Sequence, residues 1–93
     1  MDNETAAKIT NRLEACLQAL SEVVQIADAH CEPGERKVVR LGVGHVLSEI
    51  QERLGDPIYR TYPNLIPKGV DYSPLEGPTL ADMAAKIETR KSS

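Results

Sequence analysis

A length of 93 residues, with 11 basic and 14 acidic side chains and a formal net charge of −3, predicts one small acidic domain. A nucleic-acid-binding surface needs a basic excess on one face, so this charge balance argues against nucleic acid as a partner. Apolar runs are only a few residues long and the segment after Met1 is polar and acidic, so we expect neither a membrane-spanning helix nor a signal peptide.

The core should be aliphatic, because the chain lacks Phe and Trp and its three tyrosines all follow residue 58. Its two cysteines, Cys16 and Cys31, would be about 22 Å apart along one helix, too far for a disulfide. We therefore expect two thiols in a reducing compartment and place the protein in the cytoplasm.

Residues 5–31 carry an apolar periodicity that predicts a long α-helix, capped by Asp2, Asn3 or Thr5. The seam of this helix recurs at alternating steps of four and three residues: Ile9, Leu13, Cys16, Leu20, Val23, Ala27 and His30. Flanking apolar residues widen it on both sides: Leu17 and Val24 on one, Ala15, Ala19 and Ile26 on the other. The apolar arc reaches roughly 200° at 100° per residue, more than one neighbouring helix covers.

A short turn at Pro33 predicts a second helix over residues 33–54, antiparallel to the first. Gly55 is expected to end it as the C′ residue, with Pro57 beyond. Its core-facing stripe is about 100° wide: Val39, Val43, Val46, Leu47, Ile50 and Leu54. The first two helices should therefore form an antiparallel helical hairpin, which makes the fold class all-α.

Residues 56–78 hold five of the six prolines, so regular helix is not expected there. Their many large apolar side chains are unlike a solvated linker, and we predict an extended Pro/Tyr-rich arm that lies on its own chain or on a partner. Its expected docking surface is a patch on the second helix: Val38, Leu41 and His45, beside Gly42 and Gly44. The substitution Gly42→Leu should then destabilise the protein or free the arm.

Thr79 and Asp82 form a capping-box pattern that predicts a short C-terminal helix over residues 80–90. Residues 91–93 should be a disordered tail. The whole chain, residues 1–93, is then a single helical domain with an arm.

His45, Glu49 and Glu52 share one helical face and could present an imidazole and two carboxylates to a metal. A solvated polar face is the favoured interpretation, because the first helix offers carboxylates only on its polar side. The histidines and cysteines lack the spacing of a zinc site, and two histidines support no Ser/His/Asp arrangement. We expect no metal, no cofactor and no enzymatic activity.

The favoured function is non-enzymatic: a helical protein of adaptor, regulatory, immunity or structural type that acts through protein–protein association. We expect a homodimer with a four-helix arrangement, in which the arms either wrap the neighbouring chain or remain available to a further protein partner. The predicted interface residues are Ile9, Leu13, Leu17, Leu20, Val24, Tyr59, Tyr62, Leu65 and Ile66. Two alternatives stay open: a small metal-dependent enzyme or metal sensor centred on His45, Glu49 and Glu52, and a hetero-complex subunit whose arm folds on its partner.

Overall fold

The computed structural model describes residues 1–69, 72 and 76–92, the last five of these as backbone alone. All regular secondary structure in these residues is helical, which confirms the all-α class. Helix α1 spans Asn3–His30 and helix α2 spans Pro33–Ile50. The Asp2 carboxylate caps α1 by accepting a hydrogen bond from the Thr5 amide at 2.8 Å.

The chain stays helical beyond α2, so the prediction that Gly55 ends this helix is wrong. A π-helical turn, Gln51–Gly55, leads directly into α3, Asp56–Thr61. Gly55 has a φ of −63°, right-handed rather than the left-handed C′ conformation. Pro57 lies in the first turn of α3, the part of a helix in which proline is best tolerated.

The extended arm predicted for residues 56–78 is therefore wrong for its first part. A 3₁₀ turn, Pro63–Leu65, follows α3 and also begins at a proline. Residues 66–69, Tyr72 and 76–79 have no helical structure. Five residues of the predicted arm, at 70, 71 and 73–75, lie outside the described residues.

Helix α4 spans Leu80–Ser92 and begins with the predicted capping box. The Thr79 amide donates to Asp82 Oδ2 at 3.1 Å, and the Asp82 amide donates to Thr79 Oγ1 at 3.3 Å. Because the helix runs to Ser92, the prediction of a disordered tail is wrong for residues 91 and 92, while Ser93 lies outside the described residues.

Among the residues whose side chains the structure describes, the buried core is small and lies mainly where the chain returns to the N terminus. Its members are Ala6, Thr10 and Ala27 of α1, with Gly55, Asp56, Pro57 and Ile58 at the start of α3. The Tyr62 hydroxyl donates to the Met1 carbonyl, and Asn64 Nδ2 donates to Asn3 Oδ1 at 2.9 Å. Helix α2 contributes no buried residue, so its apolar stripe stays partly open to solvent.

Candidate interaction surfaces

An apolar cleft of about 450 Å³ lies between α1, α2 and the segment after α3, and we call it the arm cleft. Its lining is Leu13, Glu14, Leu17, Ser21, Leu47, Ile50, Gln51, Gly55, Tyr59, Pro67 and Tyr72. The rings of Tyr59 and Tyr72 meet edge to face, with centroids 5.5 Å apart, as aromatic pairs prefer. Burial, with a smaller effect from the negative charge of Glu14, raises the pKa of Tyr59.

Three polar side chains beside the cleft, Asp56, Arg60 and Tyr72, form what we call the Asp56 cluster. Asp56 is 6% exposed and accepts a hydrogen bond from the Tyr72 hydroxyl. Arg60 Nη2 lies 3.9 Å from Asp56 Oδ2, and Arg60 Nη1 donates to the Pro78 carbonyl at 3.2 Å. Burial, followed by the hydrogen bond and charge of Asp56, holds the pKa of Tyr72 well above its usual range.

The Asp56 cluster was not predicted from the sequence. The available signal was the i, i+4 spacing of Asp56 and Arg60, which is typical of an ion pair on a helix. The cluster joins α3 to Tyr72 and to the segment just before α4, and it therefore fixes where the chain goes after α3. These contacts give the cluster a structural role.

The predicted docking of the arm on the second patch of α2 is wrong. Val38 is 71% exposed and Leu41 is 59% exposed, and an added Cβ on Gly42 or Gly44 would meet nothing within 4 Å. The physical reason is the continued helix after Ile50, which carries the chain to the N terminus of α1 instead of back along α2.

Of the nine residues of the predicted interface, five lie on α1 and four lie in α3 or just after it. Leu13, Leu17 and Tyr59 come together in the arm cleft, and Tyr62 binds the Met1 carbonyl. Leu17 is 39% exposed. The other eight are half-buried: Ile9, Leu13, Leu20, Val24, Tyr59, Tyr62, Leu65 and Ile66.

A more exposed apolar surface lies elsewhere on the helices. Val23 of α1 is 44% exposed, Ile26 of α1 is 62% exposed and Val46 of α2 is 46% exposed. Cys16 and Ala19 of α1 are exposed as well. We call these five residues the free face. The sequence showed these residues as apolar but placed them in three different sets: Cys16 and Val23 in the seam, Ala19 and Ile26 in its second flank, and Val46 in the stripe of the second helix.

The candidate metal face offers little beyond its helical spacing. Within residues 1–69, 72 and 76–87, no three His, Cys, Asp or Glu side chains gather where they could hold a metal ion. Glu49 accepts a hydrogen bond from Arg53 one turn later, an exposed pair of the ordinary helical kind. Among the helices that the structure describes, none has both the length and the apolarity to cross a membrane.

Comparison with known proteins gives no relative: no family model, no curated protein and no solved structure matches the chain. The surface itself is therefore the basis for any function. The chain exposes 7153 Å², whereas a compact folded protein of 10.2 kDa exposes roughly 5300 Å². Its radius of gyration, 16.2 Å, likewise exceeds the roughly 12 Å expected for a compact chain of this length.

Proposed function

We propose that this protein is non-enzymatic and works by association, as a homodimer of adaptor, regulatory, immunity or structural type. The observation that carries the proposal is the surface excess of about 1800 Å² over a compact chain of the same mass. A standard interface takes roughly 800 Å² from each partner, and obligate homodimers take more. A second copy would therefore cover an area of the size that this chain leaves open.

We propose further that α1 and α2 form an antiparallel hairpin and that two hairpins pair into a four-helix arrangement. Asp28 forms a bidentate ion pair with Arg40, at 3.0 and 2.7 Å, close to the turn between the helices. Leu17 and Leu47, both farther from the turn, line the same cleft. This order of contacts supports opposite helix directions.

The composition of α2 also supports a four-helix arrangement. Two members of the predicted core-facing stripe of six, Val46 and Leu54, are each 46% exposed in the single chain. Transfer of such side chains from water is worth about 25 cal/mol for each Å² buried. A second hairpin would supply the missing apolar cover.

We propose a cytoplasmic location because neither of the two cysteines forms a disulfide. Cys16 is exposed and Cys31 is half-buried, and both are free thiols. An accessible thiol persists more readily in a reducing compartment, where glutathione and thioredoxin counter oxidation. The location of a fluorescent fusion would test this part of the proposal.

Light scattering after size exclusion tests the association directly. The expected mass is twice the 10.2 kDa of one chain at micromolar concentrations, with circular dichroism showing a helical protein. A helical chain that stays at 10.2 kDa at a concentration of about 100 μM would contradict the proposal, because a cytoplasmic homodimer needs a micromolar or tighter Kd.

A further inference from the structure

We infer that the dimer forms through the free face, with the two copies of α1 crossing antiparallel there. This inference rests on the proposed homodimer and adds the surface and the orientation. It differs from the interface predicted from the sequence, which placed Leu13, Leu20 and Val24 at the centre. Those three residues are half-buried in the single chain, whereas Val23 and Ile26 are 44% and 62% exposed.

The free face points away from the arm cleft. At 100° per residue, Val23 lies about 160° around α1 from Ser21 and about 180° from Glu14. Ser21 and Glu14 both line the arm cleft, as do Tyr59, Pro67 and Tyr72. These three later residues therefore lie on one side of α1, and the free face lies on the other side, where a second chain can reach it.

The spacing of the free face makes it complementary to itself. Its α1 members are Cys16, Ala19, Val23 and Ile26, at steps of three, four and three, so the order of steps is the same in both directions. In an antiparallel pair with its two-fold axis level with residue 21, Cys16 faces the partner's Ile26 and Ala19 faces the partner's Val23. Each small side chain thus meets a larger one.

This alternation of small and large side chains suits close helix packing. Helices that pack with interdigitated side chains lie 8–10 Å apart, and small residues permit the shorter distance. Arg12 and His30 continue the same periodicity at the two ends and supply polar groups, as the rim of an interface does. Parallel copies would instead place Cys16 against the partner's Cys16 and Ile26 against the partner's Ile26, small with small and large with large.

Disulfide cross-linking tests the surface and the orientation together. The variant Ile26→Cys is made in a Cys31→Ser background, so that the native Cys16 and the introduced thiol are the only cysteines. Within one chain these two positions are about 15 Å apart and cannot pair. Across the antiparallel interface they face each other, so mild oxidation with diamide should convert most of the protein to a covalent dimer on a non-reducing gel.

Two matched control variants test whether the cross-link is specific to the antiparallel free-face interface. The Cys31→Ser variant alone should stay monomeric on the gel, because the two Cys16 thiols are then about 15 Å apart along the crossing helices. Gln25→Cys in the same background puts the new thiol about 160° around α1 from Val23, and it should not cross-link.

The remaining outcomes separate this inference from the proposed function. Efficient cross-linking of the Cys31→Ser variant through Cys16 alone would overturn the antiparallel orientation. A dimeric mass in light scattering without cross-linking of the Ile26→Cys variant would overturn the free face and leave the homodimer standing. A monomeric mass for the native chain would overturn both.

Discussion

At the scale of single residues, the Asp56 cluster combines burial with several polar contacts. Asp56 is buried, and its carboxylate interacts with the hydroxyl of Tyr72 and the guanidinium of Arg60. Hydrogen bonds to charged groups contribute about 1.5–3 kcal/mol each, because a buried carboxylate left without them keeps its desolvation cost. The cluster therefore holds the segment after α3 in place through a few polar contacts.

The raised pKa of Tyr72 predicts loss of stability in alkali. The folded chain holds this proton more tightly than the unfolded chain, whose tyrosine titrates near 10.0, so the stabilisation is complete below pH 10 and decreases as the pH rises further. Tyr72→Phe should lower the free energy of unfolding by about 1–3 kcal/mol at pH 8. The difference in the free energy of unfolding between the native chain and the variant should be smaller at pH 11 than at pH 8, as measured by urea unfolding. A constant difference over this range would contradict the assigned cause.

The contribution of the Asp56 charge to the raised pKa of Tyr72 can be measured separately from that of burial. Asp56→Asn keeps the shape of the side chain and removes its charge, so the pKa of Tyr72 should fall towards its usual value. Absorbance at 295 nm, which follows tyrosine ionisation, should show more titration below pH 11 in this variant than in the native chain. An unchanged titration curve would mean that burial alone raises the pKa of Tyr72.

Gly77 provides a packing test of the same cluster. A Cβ at this position would lie 2.9 Å from Cζ and Nη2 of Arg60, whose side chain is only 16% exposed. Gly77→Ala should therefore displace the guanidinium and cost about 1–2 kcal/mol in urea unfolding. Gly44→Ala is the matched control: an added Cβ there meets nothing within 4 Å, and helix propensity should raise the stability by about 1 kcal/mol. Equal effects of the two substitutions would rule out a packing role for Gly77.

At the scale of helices, the unbroken path from α2 through the π-helical turn to α3 decides where the chain goes. Gly55 lies inside this path in a right-handed conformation, and a Cβ there would make ordinary contacts, 3.9 Å from the Ile50 carbonyl oxygen and 4.0 Å from Tyr59 Cε2. We predict that Gly55→Ala raises the melting temperature, because alanine loses less conformational entropy on folding.

Gly69 is the matched control for this prediction. Its φ of +83° is unfavourable for residues with a Cβ, so Gly69→Ala should lower stability by about 1–2 kcal/mol. Thermal unfolding followed by circular dichroism compares the two variants. A loss of stability for Gly55→Ala would mean that this glycine adopts the left-handed C′ conformation after all.

The helix boundaries show which parts of the fold could be predicted from the sequence. Asp2, Pro33 and the Thr79–Asp82 capping box mark helix starts through contacts within one turn. The sequence predicted the last two and offered Asp2 as one of three candidate caps. The glycine and proline around Asp56 are compatible both with a helix end and with the start of the next helix. Local pattern cannot distinguish the two, because the continued path is fixed by distant contacts such as Tyr62 with the Met1 carbonyl.

Local sequence pattern was equally insufficient to locate the association surface. Periodicity predicted an apolar arc of roughly 200° on α1 and therefore the need for a second cover. It could not predict which part of the arc would face α2 and the segment after α3, because that depends on how residues far apart in sequence come together, as Leu17 and Leu47 do in lining the arm cleft. The exposure of Val23 and Ile26 became apparent only in the folded chain.

At the scale of the whole molecule, the shape is thin and broad. The principal extents are 47, 38 and 22 Å, and the shortest is about the thickness of two packed helices, each 10–12 Å across. Domains are normally built from layers that cover each other's apolar sides. Two layers of helix nevertheless leave Val23 and Ile26 exposed on one side of the molecule, which is where the homodimer is proposed.

A homodimer predicts that stability depends on protein concentration. When folding and association are coupled, each tenfold increase in concentration favours the folded dimer over two unfolded chains by about 1.4 kcal/mol. The melting temperature of the native chain should therefore rise steadily between about 2 and 200 μM in scanning calorimetry. A single folded chain that unfolds alone would melt at the same temperature throughout this range.

Two aspartate substitutions at exposed apolar residues test whether the free face causes the dependence of the melting temperature on protein concentration. Ile26 is 62% exposed and Val38 is 71% exposed in the single chain, so neither aspartate is buried by folding alone. Ile26→Asp would place two unpaired carboxylates in the dimer interface, at a cost of several kcal/mol, and should make the melting temperature independent of concentration. Val38→Asp lies outside the free face, so the concentration dependence of the native chain should persist in it. If both variants keep that dependence, the chains associate through a different surface, because an interfacial aspartate could not be tolerated at position 26.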